Sequence, residues 1–330
     1  MEANTLVLIF VLFLILWAEF VNGATDAPNA IATVVSTRVL SPKKAVLLAT
    51  TLNIIGSFSG TAVAATIGKG IVRTEAINLY TVGAAMIGII VWSSLAWKYG
   101  LPTSESHALI SGLAGAGLAS GGPNVLLWDG WQKVIVGLFF STFLGFALAY
   151  IIFVIIAWIF RNTGISRVRR IFGRMQLLSA AFMAFSHGSN DGQKFIGAFS
   201  LALLLSGITK EFIVPSWVIL LCAAVMGIGT SIGGWRIIKT MGMKLTKLEP
   251  QHGFAAETAA ATAIEIATRF GIPLSTTHTI NTSIMGVGSV QSLSKVRWLV
   301  ASNIVIAWIL TFPICGLISF ILAKIFLSFG

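Results

Sequence analysis

Charge is what this 330-residue chain has least of: 10% of its residues are Asp, Glu, Lys or Arg, against roughly 25% in a soluble domain. Acid is the scarcer sign, with 11 Asp and Glu against 22 Lys and Arg. A chain so poor in charge cannot present an ordinary water-facing surface, which excludes a soluble globular enzyme. The two cysteines, Cys222 and Cys315, both sit in apolar runs. They read as small packed hydrophobes and give neither a disulfide framework nor a redox compartment. No Gly-x-x-x-x-Gly-Lys-Ser/Thr run occurs, so nothing supports ATP-driven work by this chain alone. Met1-Glu2-Ala3-Asn4 lacks the positive stretch that opens a signal peptide. The net charge of +11 does not indicate nucleic acid, because the basic residues lie in short loops between apolar runs, without an aromatic-interleaved groove.

What the chain does have is hydrophobic length. Apolar residues make up 56%, and the windows Ala45–Ile67, Asn78–Trp97, Val134–Phe160, Phe212–Trp235 and Trp298–Ala323 carry no charge. Each approaches or exceeds the roughly 20 residues that cross a bilayer as a helix. Ten crossings are expected, near 5–22, 45–67, 78–97, 103–121 and 132–160, then 175–187, 212–235, 254–270, 275–292 and 298–325. Additional helical pieces are expected around 24–37 and 189–206. Frequent Ala, Gly, Ser and Thr suit close helix packing in lipid.

The polar residues fall in an order that occurs twice. Asn22-Gly-Ala-Thr-Asp26-Ala-Pro28-Asn29-Ala30 has a looser relative in His187-Gly-Ser-Asn190-Asp191-Gly-Gln-Lys194. Gly100-Leu-Pro-Thr103-Ser104-Glu105-Ser106-His107 is matched by Gly271-Ile-Pro-Leu-Ser275-Thr276-Thr277-His278. The chain is an internal duplication. With the N-terminus outside, fifteen of the 22 Lys and Arg fall on the inner side and six on the outer, Lys194 lying within a motif. The positive-inside rule selects this orientation, with both termini extracytoplasmic in the cell membrane. Five crossings per copy make the second copy enter from the opposite side. The expectation is an all-α polytopic membrane protein of two inverted-topology repeats of about five transmembrane helices each. Broken or re-entrant helices are expected at the polar motifs. Residues 1–160 form the first repeat, 161–174 a basic cytoplasmic linker and 175–330 the second repeat. Such architecture is typical of secondary transporters with a site at the repeat interface.

Each motif has its own chemistry. Asp26 and Asp191 are matched carboxylates in Gly-containing runs. They could cap the helices that follow, but hard-cation ligation suits paired carboxylates better, with Gly23 and Pro28 opening backbone carbonyls beside them. The hydroxyl clusters at Thr103, Ser104 and Ser106, and at Ser275, Thr276 and Thr277, each follow Gly-x-Pro and read as helix starts. A helix N-terminus with added hydroxyl donors suits a tetrahedral oxyanion. His107 and His278 lie one turn beyond the paired Ser104 and Ser275, leaving proton relay, hydrogen bonding and packing open. His187 adjoins the second Asp motif. No His or Cys pair has zinc-ligand spacing, so no transition-metal site is expected. Glu257 stands mid-span with no counterpart acid near Ala85–Met86, and intramembrane acids are usually functional as ion ligands or proton carriers. Glu265 is placed to meet Arg269 at i+4.

Taken together, these residues resemble the inorganic phosphate transporter family, whose signature is a duplicated Gly-Ala-Asn-Asp-x-x-Asn-Ala run. Gly23–Ala30 is similar to it, Gly188–Lys194 is similar more loosely, and the Pro-x-Ser-x-x-His elements and Gly253–Glu257 are also similar. The resemblance implies inverted repeats, a central phosphate site and cation-coupled uptake without catalysis. On it, Thr103, Ser104, Ser106, Ser275, Thr276 and Thr277 hold phosphate, while Asp26, Asn29, Asn190, Asp191 and Glu257 serve the coupling ion. Sodium is the candidate metal, at Asp26, Asn29 and Asp191. His107 and His278 are candidate proton or hydrogen-bond partners. No cofactor is expected beyond the coupling ion, Na+ or H+. Thr25 departs from the signature Asn, and Lys194 replaces its last Asn. The Gly-Ser-Asn-Asp-Gly-Gln-Lys form looks like a bacterial branch associated with proton coupling and metal-phosphate uptake. Lys194 is therefore expected to stand in for one cation, pairing with Asp191 or phosphate. The cargo is phosphate, free or as a divalent-metal phosphate complex. Sulfate is the nearest alternative, and the acids Asp26, Asp191 and Glu105 favour the anion that keeps a proton. A passive anion channel and an intramembrane metalloenzyme are the more distant readings. The lipid bilayer is the surrounding partner, nucleic acid is not, and a homodimer is admissible.

Overall fold

The computed structural model describes residues 2–329. Among them there is helix and connecting turn but no strand, only one isolated bridge between Val72 and Leu126. In order the helices are α1 (Glu2–Ser36), α2 (Pro42–Ser57), α3 (Ala62–Gly70), α4 (Leu79–Tyr99), α5 (Glu105–Gly121), α6 (Trp128–Phe139) and α7 (Gly145–Ile159). The second half has α8 (Ile165–His187), α9 (Gln193–Leu205), α10 (Ser216–Ile232), α11 (Trp235–Lys239), α12 (Pro250–Arg269), α13 (Thr276–Gln291) and α14 (Trp298–Phe329). The order is the same in both halves. A long helix through the Asp motif comes first, then a bent pair, a straight helix, a short helix after Gly-x-Pro, and a long final span. The equivalent first helices run in opposite directions. The end of α1 (Thr37, Arg38) and the beginning of α8 (Arg169) line one cavity, so the repeats are inverted.

The halves are interlocked, not side by side. α1 packs on α10 and α8 on α2, α14 on α5 and α7 on α13. The first of these crossings explains the motif glycines. A Cβ on Gly23 would fall against the Met226 carbonyl oxygen of α10, and one on Gly188 against the Asn53 carbonyl oxygen of α2. Each is the point where two backbones touch, the use of glycine common between helices in lipid.

That corrects the expected breaks at the Asp motifs. α1 is one helix through Pro28, with no separate piece at 24–37. α8 reaches α9 through a π-helical turn at Gly188–Gly192, without interruption. Pro28 releases a single carbonyl, that of Ala24 four residues earlier, and Gly234 lies against it. Neither Asp26 nor Asp191 caps a helix start, since both lie within continuous helical runs. The 161–174 linker is also mostly helical, because α8 begins at Ile165. True breaks occur elsewhere, at α2/α3 (69°) and α10/α11 (60°), and at the two Gly-x-Pro segments.

Among the described residues, four helices are long and apolar enough to cross a membrane, Asn4–Ser36, Leu79–Tyr99, Trp128–Ile159 and Trp298–Ser328, and the two bent pairs raise this to six. The other four expected spans fall short of that test. α5 and α13 are too short, at 17 and 16 residues, and α8 and α12 are too polar. The reason is position. These elements carry the polar motifs: α5, α12 and α13 are largely wrapped by the others, while α8 turns its polar face inward and leaves Leu177, Leu178 and Phe182 exposed. The lipid-facing side chains are those of the outer helices, such as Phe13, Phe143, Trp158, Leu299 and Ile309, all well exposed. Two apolar cores result. One joins the first half of α1 to α3, α4, α5 and α9; the other joins the end of α1 to α8, α12 and α13.

Candidate functional site

The site is assembled between those cores from α1, α5, α8, α9 and α13. Its walls start with the Gly-x-Pro segments. Proline and the extended backbone before it hold Ser104 and Ser275 outside the helix, where each side chain accepts the backbone N–H three residues on, from His107 and His278, at 3.2 Å. This is N-capping. Both helices therefore begin in the protein interior, and their beginnings touch: Ser106 Oγ donates to the Leu274 carbonyl at 3.0 Å. From there α5 leads to the face of Ala76, α13 to the face of Lys295. Two helix N-termini thus converge on one place from opposite halves, where unpaired N–H groups and positive dipole ends favour an anion.

Lys194 enters this junction from α9, wholly buried. Its ammonium donates to Asp191, to Ser106 Oγ and, at 3.1 Å, to the Leu274 carbonyl. Asp191 also accepts from Thr276 Oγ1 at 2.8 Å, and His187 Nε2 lies 3.2 Å from it. On the α1 side Asn29 Nδ2 donates to Thr276 at 3.2 Å and Thr277 at 2.9 Å. Thr277 Oγ1 lies 3.4 Å from Asp26. Asn29, Asp191, Lys194, Ser106, Thr276 and Thr277 thus form one continuous hydrogen-bonded cluster that Asp26 adjoins.

Not every expected residue joins it. Asn190 turns to Thr268 (2.8 Å) and the Ile272 carbonyl (3.3 Å), leaving its side-chain oxygen buried and unpartnered. Thr103 is buried beside the cluster. His107 and His278 stack on each other edge to face at 4.6 Å and on Phe312 and Trp308. They pack between α5, α13 and α14 and, among the described residues, bond to none of Asp26, Asp191 and Lys194. Glu257 forms a separate cluster, accepting from Thr33 (2.6 Å), Gln176 (3.0 Å) and Ser179. Glu265 reaches Arg269 at 3.9 Å, as its i+4 spacing suggested.

Two groups that the sequence placed near the polar motifs gain named partners. Glu105 accepts from Thr25 (3.1 Å) and Ser93 (2.6 Å), so Thr25, the departure from the signature, fastens α1 to α5. His187, five residues of chain from the bulge end and unremarkable by ligand spacing, meets Asp26 and Asp191. One ligand atom from each of the three lies within 4.8 Å of the others. His187 and Asp191 stand four residues apart on one helical face, beside a π turn at Gly188–Gly192 of a kind frequent at functional sites.

The interlocked inverted halves and the paired helix starts are matched by known proteins. A family model described as the phosphate transporter family covers residues 22–167 and 161–319. The chain belongs to the phosphate transporter family. It is 44% identical over 306 residues to a probable low-affinity inorganic phosphate transporter of Rhizobium meliloti (strain 1021), covering 92% of each chain. It is 38% identical over 333 residues to one of Bacillus subtilis (strain 168), covering 99% of this chain and 100% of that one. A solved structure titled as the sodium-dependent phosphate transporter superposes with a TM-score of 0.89 at 25% identity, over 98% of this chain and 99% of the other. Members of this family are transporters, so the phosphate transporter chain described here is a multi-pass membrane protein and not an enzyme.

Proposed function

We propose that this protein imports inorganic phosphate by cation symport, with its inverted halves giving alternating access to the junction of α5 and α13. The observation that carries the reading is the meeting of two capped helix starts at Ser106 and Leu274, with the Lys194 ammonium between them. Phosphate is held there by the N–H groups and hydroxyls of Ser104, Ser106, Ser275, Thr276 and Thr277, flanked by Thr103. Asp26, Asn29 and Asp191 hold the coupling ion. Their oxygen-rich set suits a hard cation, and the free Asn190 oxygen adds a neutral acceptor nearby. Lys194 replaces one such cation, neutralising Asp191 and leaving fewer mobile ions to be carried. Positive residues concentrate around the ends of α1, α7 and α13, and the positive-inside rule puts that face in the cytoplasm of a cell membrane and both termini outside.

The test is phosphate uptake into proteoliposomes with sodium and proton gradients imposed separately. Uptake driven by either gradient supports symport. Uptake driven by protons and indifferent to sodium supports Lys194 as the built-in cation. Phosphate flux indifferent to both gradients would make the protein a passive channel, and sulfate uptake in place of phosphate would overturn the cargo.

A further inference from the structure

We infer that the inner route for phosphate follows one face of α1 from Asn29 past Thr33 to Thr37, and that Glu257 with its three partners is the gate that closes it. This rests on the transport reading above.

The face is legible residue by residue. At helical spacing, α1 presents Leu8, Val11 and Ile15, then Glu19, Asn22, Asp26, Asn29, Thr33 and Thr37, all but Thr37 buried. Toward the N-terminus the polar pair Glu19 and Asn22 gives way to apolar Ile15, Val11 and Leu8, while toward the other end the face stays polar. α8 and α9 change in the matching sense. Gln176, Ser179, His187 and Asn190 precede Lys194, while buried Ala198 and Leu201 follow it. The outer side of the site is therefore sealed by packed hydrocarbon. On the inner side the seal includes a hydrogen-bonded layer on α1, α8 and α12, set into the second apolar core.

Those bonds are few and named. Thr33 Oγ1 donates to Glu257 Oε1 at 2.6 Å, Gln176 Nε2 to the same oxygen at 3.0 Å, and Ser179 to Oε2. Thr37 Oγ1 then donates to Gln176 Oε1 at 2.8 Å. α1, α8 and α12 are clasped together at this level by neutral donors around one carboxylate, and no Lys or Arg among the described residues pairs with it. Water can replace each of those donors when the helices part, whereas separating the apolar outer layer would expose hydrocarbon. The polar layer is the part of the seal that water can enter with least cost. Beyond Thr37 lies a cavity of about 530 Å³ lined by Arg38, Arg169, Lys247 and Arg297. Its acid, Glu249, is engaged by Arg169. The chemistry of this vestibule suits an oxyanion leaving the gate. A carboxylate in a phosphate route would repel a bare anion, so Glu257 favours passage of phosphate together with its coupling cation.

The test uses Thr37→Cys and Thr33→Cys in full-length protein carrying Cys222→Ala and Cys315→Ala. Labelling by an anionic methanethiosulfonate is followed in inside-out vesicles, with inorganic phosphate uptake measured on the same variants. Thr37→Cys is expected to label freely. Thr33→Cys is expected to label about tenfold more slowly at rest, as befits a site reached only from a minor open state, and to approach the Thr37→Cys rate when phosphate and the driving ion are supplied. Glu257→Gln, which keeps the shape and removes the charge, is expected to raise resting labelling at Thr33→Cys. Ser179→Cys, on the opposite wall, gives the same reading if Thr33→Cys does not insert. Continued phosphate uptake with both wall cysteines inert during turnover would overturn the gate while leaving the transport reading intact. No phosphate uptake by the unmutated protein would remove the reading beneath it, and the route with it.

Discussion

The indole Nε1 of Trp308 donates to the carbonyl of Pro102 at 2.9 Å. The last helix of the second half thereby fastens the turn that opens α5 in the first half. The same indole stacks at 3.8 Å on His278, whose ring meets His107 edge to face. One side chain thus ties both helix starts to α14, with His278 packed on it and His107 on Phe312.

Trp308→Phe keeps an aromatic ring against His278 and removes the hydrogen bond. The Pro102 carbonyl loses its donor in a buried place, so a loss of about 1 kcal/mol is expected. Trp308→Ala also opens a cavity and should cost about 3 kcal/mol or more. Thermal unfolding in detergent should rank wild type, Phe and Ala in that order. Equal stability of Phe and Ala variants would mean that the hydrogen bond, not the stacking, is what matters.

Lys194 gives the prediction that separates ion-coupling schemes. Lys194→Asn restores the residue type of the signature and should make phosphate uptake depend more steeply on sodium. Lys194→Met instead leaves the Asp191 carboxylate buried without its ammonium, at a cost of about 3–5 kcal/mol, and should accumulate poorly in the membrane. Unchanged ion dependence in Lys194→Asn would end the view of Lys194 as a built-in cation.

How much of this was readable in advance depended on range. The starts of α5 and α13 were legible because capping is local: Gly-x-Pro and a hydroxyl decide it within a few residues. The duplication was legible for the same reason. The Asp motifs misled because Gly23 and Gly188 owe their place to carbonyls 203 and 135 residues away, at Met226 and Asn53, which no local pattern contains. A length-and-hydropathy test passes over α5, α8, α12 and α13, whose polar faces meet protein instead of lipid. α8 and α12 can be polar because Glu257, Gln176 and Ser179 satisfy one another. Likewise His187 meets Asp26 across the contact of α1 with α8, which no local pattern contains.

On the basic face, Arg169 Nη2 bonds Glu249 at 2.7 Å. That hydrogen bond holds the Glu249 carboxyl below its usual range and raises the guanidinium. A depressed carboxylate pKa stabilises the fold above the ordinary value and ceases to do so as pH falls through the lowered one. Glu249→Gln should therefore unfold slightly more easily than wild type at neutral pH. The gap should close on acidification below the ordinary carboxylate range and also in high salt, because both side chains are partly exposed and screened. A difference that persists unchanged in acid would assign the effect to the start of α12 instead of the ion pair.

The helix crossings allow the motif glycines to be separated from any role in ion binding. Gly23 lies in the signature, while its neighbour across the crossing, Gly229, does not; a Cβ on Gly229 would strike the Phe20 carbonyl oxygen. If the signature glycine serves packing, Gly23→Ala and Gly229→Ala should each destabilise by about 1–3 kcal/mol, the range for overpacked contacts. Their double variant should lose less than the sum, because the first substitution already parts the helices. Gly173→Ala is the control, since a Cβ there meets nothing and alanine favours a helix. Unfolding measurements on the four variants check this. A Gly23→Ala protein as stable as wild type but unable to move phosphate would return the glycine to the ion site.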